Sequence, residues 1–114
     1  MQVAKFAVEK GTAKADVTVS VFPNSTGGNL ANVNRWRRQI GLPEVGEAEL
    51  PTLVKPLDEK IPDSILVELV NGNRKMIGAI VPRGGQWFFF KLFGDAEAVA
   101  AQKEAFVTFA RSEP

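Results

Sequence analysis

Cysteine, histidine and tyrosine are all absent from this chain of 114 residues. Without cysteine there can be no disulfides, no thiolate metal sites and no cysteine nucleophiles. Without histidine, Ser-His-Asp and Cys-His catalysis and the imidazole ligands of most zinc sites are also excluded. Serine, threonine, lysine and carboxylates remain, and these become reactive only in unusual environments. We therefore expect a protein that is not an enzyme and that has no metal site and no cofactor.

Long apolar runs and an excess of one charge are also missing. No run approaches the ~20 apolar residues that a membrane-spanning helix needs, and no signal-peptide pattern is present at the N-terminus. The net charge of +1 and the pI near 8.0 lack the excess that drives nonspecific nucleic-acid binding. With 45% hydrophobic and 24% charged residues, the composition is typical of one globular domain spanning residues 1–114.

Hydrophobic periodicity predicts an α+β fold. Alternating apolar residues indicate strands, turn residues separate them, and apolar stripes of helical period indicate helices. The predicted elements are strands at 3–8 and 16–22, a helix at 29–40, an irregular connection at 42–64 with a short helical turn near 47–54, strands at 65–70, 75–81 and 86–93, and a helix at 95–111. We expect a largely antiparallel sheet of about five strands, covered by the two main helices and the proline-rich connection.

The strand at 86–93 determines the expected architecture. It is apolar on both faces, with one face formed by Phe88, Phe90 and Leu92 and the other by Trp87, Phe89 and Phe93. A strand with two apolar faces needs cover on both sides. We therefore predict that it lies in the interior of the sheet, between layers.

The helix predicted at 29–40 is unusual because it contains several asparagines, a residue type that disfavours helix interiors. Leu30, Val33, Trp36 and Ile40 form its apolar stripe, and Arg37 falls within that stripe. An arginine there needs a partner beneath the helix. One hypothesis is that Arg37 snorkels or bonds a carboxylate or a carbonyl beneath the helix, with an ion pair to Glu68 as the leading candidate, and the alternative is that Arg37 anchors a ligand.

The opposite side of this helix is predicted to be an exposed polar face. Asn32, Arg35, Arg38 and Gln39 lie there. Such a face is often simply solvated. If it is functional, its two arginines would suit an acidic protein surface, a phosphate or an anionic lipid.

Three functional hypotheses follow. In the first, a protein partner docks on a surface built from the asparagine and arginine helix and the turn that contains Arg83; its binding residues are Asn32, Arg35, Trp36, Arg38, Arg83 and Trp87. In the second, a small molecule or lipid occupies a pocket between the sheet and the proline-rich connection, lined by Trp36, Trp87 and Phe89. The third and least favoured is an enzyme that uses carboxylates and Lys91.

Two segments carry a family resemblance. Residues 27–37, GGNLANVNRWR, and residues 82–92, PRGGQWFFFKL, look like segments of uncharacterised exported bacterial proteins, many described as lipoproteins. The order of the predicted elements resembles the PsbP-like superfamily, which includes photosystem II extrinsic subunits and a yeast Ran-binding import factor. The resemblance implies a noncatalytic module of an exported bacterial protein that docks on other proteins or holds a small ligand. It transfers no site residues, and lipid anchoring would require a segment before residue 1 because the chain has no cysteine.

Overall fold

Six strands and three helices form the part of the chain that the computed structural model describes, residues 2–112. In chain order they are β1 (Gln2–Lys10), β2 (Ala13–Phe22), α1 (Asn29–Ile40), α2 (Leu50–Leu53), β3 (Lys55–Pro56), β4 (Ile65–Asn71), β5 (Arg74–Arg83), β6 (Gln86–Asp95) and α3 (Ala96–Arg111). The predicted α+β class is confirmed. Beyond the five predicted strands there is β3, whose two residues are too few to show a period.

The strands form one antiparallel sheet in the order β1-β2-β6-β5-β4-β3. Most neighbours are joined by short turns, but β2 and β6 are far apart in sequence and pair along residues 15–22. β6 therefore lies between β2 and β5, in the interior of the sheet. This confirms the position predicted from its two apolar faces.

Each face of the sheet supports a separate hydrophobic core. On one face α3 packs over a core that includes Val17, Leu92 and Phe106. On the other face α1 packs over β4 and β5, and its core includes Val33, Trp36 and Met76. Because consecutive strand residues point to opposite faces, the aromatic run of β6 contributes Phe90 to the α3 side and Phe89 to the α1 side.

A glycine determines how closely α1 approaches the sheet. Gly78 of β5 lies under the ring of Trp36, and a Cβ built on it would come 2.6 Å from Cη2 and 2.8 Å from Cε3 of that ring. No real Cβ contact is so short, so a side chain at this position would push the helix away. At the end of α1, Gly41 adopts the left-handed conformation at φ 84°, and its N–H bonds back to the last turn.

Candidate functional site

Asn32 is buried, and the prediction that it lies on an exposed face was wrong. Only 1% of its surface is accessible. Its amide donates to Ser25 O at 2.8 Å, while its Oδ1 accepts from Thr26 Oγ1 at 2.8 Å and from Arg35 Nη1 at 2.5 Å. The residue therefore holds the loop before α1 against the helix and cannot contact a partner.

Asn34, which sequence reasoning did not assign to a site, has the same role for the loop after α1. Its Nδ2 donates to Val45 O at 3.0 Å, and its Oδ1 accepts from Val45 N at 2.8 Å. The side chain thus bonds both the N–H and the C=O of Val45, as a neighbouring strand would do. Structural hydrogen bonds therefore explain the two buried asparagines of this helix, Asn32 and Asn34.

The two arginines predicted to contact a partner are exposed, and both have partners within the protein. Arg35 donates to Asn32 and, at 3.2 Å, to Thr26 O. Arg38 forms an ion pair with Glu44 at 2.6 Å. Their charges are therefore directed largely toward the loops that flank α1.

The predicted ion pair between Arg37 and Glu68 was wrong. Arg37 is half-buried, and its Nε donates to Pro43 O at 2.6 Å. Glu68 lies on the opposite face of the sheet, where it pairs with Lys103 of α3 and, at 3.4 Å, with Lys75. The alternation of side chains along β4 places Glu68 on the α3 side, because its neighbour Val67 faces α1.

The aromatic side chains predicted to line a pocket are packed into the core on the α1 side. Trp36 is 5% and Phe89 is 9% exposed, and Trp87 is half-buried against the same cluster. These rings belong to one cluster that includes residues of α1 and of the sheet, so side chains fill the predicted pocket between Trp36, Trp87 and Phe89. Neither tryptophan is available as an exposed binding residue of the kind predicted.

Arg83 lies on the other side of the sheet from the predicted helix surface. Its Nη2 donates to Ala110 O at 3.2 Å and to Arg111 O at 2.9 Å, at the C-terminal end of α3. A cation at this position is favourable because the last carbonyls of a helix lack intrahelical partners. The structure therefore separates Arg83 from Arg35 and Arg38, and the six predicted binding residues do not form one surface.

A cleft does lie beside Arg83, where α3 ends. We name it the Phe88 cleft; the residues that define it are Lys60, Ile61, Pro62, Arg83, Gly84, Gln86 and Phe88. Its volume is about 540 Å³, and it is open to solvent. Phe88 forms part of its wall and also lines two neighbouring depressions, one toward Phe109 and one toward Val3. The half-buried ring of Phe88 is thus the centre of a continuous irregular surface.

The lengths of two elements explain why Phe88 is only partly covered. α3 has 16 residues and β6 has 10, which correspond to roughly 24 Å of helix and roughly 33 Å of strand. Because α3 starts where β6 ends and runs back along it, the helix stops short of the first residues of β6. Sequence reasoning had placed Phe88 on a fully covered face. The predicted strand at 86–93 and the predicted helix at 95–111 each correspond to roughly 26 Å, so the gap becomes visible only with the observed ten-residue length of β6.

Positive charge borders the Phe88 cleft. Lys60 is exposed and forms no ion pair with any residue in 2–112, and Arg83 bonds carbonyl oxygens rather than a carboxylate. The carboxylate of Asp58 accepts a hydrogen bond from Lys60 N, at 3.0 Å, and forms no ion pair with a residue in 2–112. The cleft thus combines an apolar wall with two cationic side chains.

Lys91, the lysine of the enzymatic hypothesis, lies on the α1 side of the sheet. Its Nζ donates to Gln39 Oε1 at 2.8 Å. Burial, together with the positive charge of Lys5, lowers the pKa of Lys91. No carboxylate in the described residues is within ion-pair distance of it, and it lies outside the Phe88 cleft.

Comparison of the chain with protein-family models, curated proteins and solved structures found no match. The resemblance to the PsbP-like superfamily and to exported bacterial proteins therefore stays a prediction. In residues 2–112, no helix has the length and apolar character required to span a bilayer. No group of three potential metal ligands was found in the same residues.

Proposed function

We propose that this chain is a noncatalytic binding module that docks an extended segment of a protein partner in the Phe88 cleft. The observation that carries the proposal is a half-exposed aromatic ring beside two cationic side chains, at the point where α3 no longer covers the sheet. The proposal retains the Arg83 turn from the predicted recognition surface. It replaces the α1 residues, whose polar groups are bonded to neighbouring loops.

The chemistry of the cleft indicates what it would bind. Phe88, Ile61 and Pro62 offer an apolar surface to an apolar side chain. Arg83 uses only Nη2 in the bonds to α3, which leaves its other guanidinium donors for a carboxylate. Lys60 adds a second positive charge at the rim. A partner segment with an apolar residue next to an acidic residue fits this pattern.

The open shape of the cleft favours a macromolecular segment. Small-molecule sites usually enclose most of the ligand, whereas this cleft continues into the depressions on both sides of Phe88. An extended peptide could follow that surface. The role in an exported bacterial protein, which the resemblance implies, is part of the same proposal.

A small anionic amphiphile is the second candidate. It is favoured by one observation, the cleft volume of about 540 Å³, which falls within the roughly 300–1,000 Å³ typical of small-ligand sites. The cleft lies between the sheet and residues 60–62 of the proline-rich connection, as the second hypothesis expected. Its lining differs from the predicted Trp36, Trp87 and Phe89.

Selection of binders from a random peptide display library tests the proposal. The selected peptides should combine apolar and acidic residues, and their affinity is measured by fluorescence polarisation. Lys60→Glu should lower the affinity of the selected peptides roughly tenfold, because it reverses a charge at the rim. Phe88→Ala should lower that affinity roughly tenfold to a hundredfold, because it removes an aromatic anchor. Lys55→Glu makes the same charge change at an exposed site outside the cleft and should leave the affinity unchanged.

The far-ultraviolet circular dichroism spectrum and the thermal midpoint of each variant establish that it is folded. Peptides that bind folded Lys60→Glu and Phe88→Ala as tightly as the natural sequence would contradict the proposed surface. Failure to select any peptide would contradict protein docking there. If an anionic apolar dye such as anilinonaphthalene sulfonate then binds the natural protein but not Lys60→Glu, the second candidate is supported instead.

A further inference from the structure

The two edges of the sheet differ in how much backbone they leave unpaired. β1 forms one edge over Gln2–Lys10 and contains neither proline nor glycine. The other edge begins with β3, Lys55–Pro56, where proline removes a backbone donor. Beyond β3, only residues 67–71 of β4 remain at that edge. An unpaired edge is a template for another strand, and β1 is the longer template.

Exposed aromatic surface accompanies the β1 edge. Phe6 is 45% and Phe109 is 40% exposed, and their rings meet edge to face with centroids 6.0 Å apart. Phe109 in turn contacts the buried ring of Phe90 at 5.4 Å. The core on the α3 side thus extends through these rings to the edge of the sheet and remains open to water there.

Two charges on β1 have no ion-pair partner within residues 2–112. Lys5 and Glu9 are exposed, and neither forms an ion pair with any described residue. Lys10, by contrast, lies 4.0 Å from Glu97 of α3. Opposite charges at two positions of one exposed strand can complement each other when two copies of that strand pair antiparallel.

We propose that β1 is the interface of a symmetric dimer, in which β1 of a second copy of this chain pairs antiparallel with it in a register centred on Ala7. In this register Lys5 of each copy lies opposite Glu9 of the other. Phe6 likewise lies opposite Val8. Both pairs occur twice, because a two-fold interface repeats every contact.

The alternative registers are less favourable. Two residues that lie opposite each other must point to the same face of the joined sheet. Because side chains alternate along a strand, such residues are an even number of positions apart in the sequence, so the centre of the register falls on a residue and not between two residues. A register centred on Lys5 places two like charges together. One centred on Phe6 requires residues 2–4, where the pairing of β1 with β2 is shifted by a bulge. One centred on Val8 shortens the contact and places Phe6 opposite Lys10.

The dimer would also cover the exposed aromatic rings. An antiparallel pair of identical strands has its two-fold axis perpendicular to the sheet, so both α3 helices lie on the same side of it. Ala4, Phe6 and Val8 face that side, since they pair with core residues of β2. The Phe6 and Phe109 rings of the two copies would therefore meet across the junction. No residue that lines the Phe88 cleft belongs to this interface, so this proposal does not depend on the proposed function; the neighbouring depression toward Phe109 adjoins the junction.

Charge reversal tests the register. Sedimentation velocity over a concentration series should show a reversible monomer–dimer equilibrium for the natural sequence, since a narrow interface gives a concentration-dependent association. Lys5→Glu and Glu9→Lys should each weaken the dimer roughly tenfold or more, because each creates two like-charge pairs. The double variant Lys5→Glu/Glu9→Lys should restore it.

The matched controls are Lys55→Glu and Glu59→Lys, which make the same charge changes at exposed sites on the opposite side of the molecule. They should leave the equilibrium unchanged. A protein that stays monomeric at all concentrations overturns the proposal. So does a dimer that tolerates the single reversals, or one that the double reversal does not restore.

A cross-linking experiment provides a second readout. Because the chain has no cysteine, Ala7→Cys would introduce its only thiol at the two-fold axis. Opposite Cα atoms in an antiparallel pair are about 4.5 or 5.5 Å apart, which is within the range that a disulfide bridges. Mild oxidation should give a covalent dimer that Lys5→Glu suppresses. Cross-linking no faster than that of Lys55→Cys on the other edge would contradict the proposal.

Discussion

At the scale of single residues, the polar side chains of α1 hold its neighbouring loops. Asn32 and Asn34 each cost the helix a few tenths of a kcal/mol relative to better helix formers. In return, Asn34 satisfies both backbone groups of Val45, and Asn32 satisfies Ser25 O. A net gain of about 1 kcal/mol per hydrogen bond exceeds that cost. Residue types that weaken the isolated helix therefore stabilise the folded protein.

Asn34→Ala should lower the free energy of unfolding by about 1–3 kcal/mol, because it leaves the N–H and C=O of Val45 without partners. Asn29→Ala is the matched control, since Asn29 is exposed in the same helix and should change stability by less than about 0.5 kcal/mol. Urea unfolding followed by tryptophan fluorescence measures both. Equal effects at the two positions would contradict the role assigned to Asn34.

At the scale of secondary-structure elements, an ion-pair cluster joins α3 to the sheet. Glu68 of β4 contacts Lys103 of α3 and Lys75 of β5. Burial by itself would raise the pKa of Glu68, but hydrogen bonds and the positive charges of the two lysines outweigh it and lower that pKa below its ordinary value of 4.5. The carboxylate therefore favours the folded state when it is ionised.

The sign of this shift gives a pH-dependent prediction. The unfolded state takes up the proton of Glu68 at a higher pH than the folded state, so the stabilisation is complete above about pH 4.5 and is lost as the pH falls through the lowered pKa. At pH 7, Glu68→Gln should lower the free energy of unfolding by about 0.5–1 kcal/mol, a modest loss because solvent screens the partly exposed cluster. Urea unfolding from pH 7 to pH 3 should show the difference from the natural sequence shrinking. Glu104→Gln, at an exposed position of α3 without an ion pair among residues 2–112, is the matched control and should change the free energy of unfolding at pH 7 by less than about 0.5 kcal/mol.

At the scale of the whole molecule, β6 joins the two cores. It pairs with β2 along one side and with β5 along the other. Its aromatic residues enter the core on each face. The edge strand β1, in contrast, is paired on one side and has exposed residues on both faces. Protection of the backbone should therefore decrease from the middle of the sheet toward the β1 edge.

Hydrogen exchange followed by mass spectrometry should show this gradient. Amides of β6 and β5 should exchange slowest, since they open only with global unfolding, whereas β1 should exchange fastest among the long strands in dilute protein. If β1 pairs with a second copy, its exchange should slow as the protein concentration rises, while that of β6 stays constant. Exchange in β1 as slow as in β6 in dilute protein would contradict the gradient.

Part of the candidate site could be predicted from the sequence. The turn around Arg83 was identified as a candidate binding element, and Arg83 does line the Phe88 cleft. On α1, Arg35 and Arg38 are exposed as predicted, but the exposure of Asn32 was not predicted correctly, because the helical period places Asn32 opposite the apolar stripe and contains no information about the loop that covers it. Arg37 and Glu68 were assigned to each other because the face of the sheet that α1 covers was unknown.

The sequence by itself determined the long strands, the two main helices and the interior position of β6. Local periodicity, turn residues and two apolar faces on one strand are properties of short segments, and they specify secondary structure and burial without long-range information. Only the tertiary structure decided which helix covers which face, that α3 ends before Phe88, and that the polar groups of α1 bond to loops. These depend on contacts between segments far apart in the chain, such as the pairing of β2 with β6, and on the relative lengths of elements that pack together. No local pattern of residues encodes them.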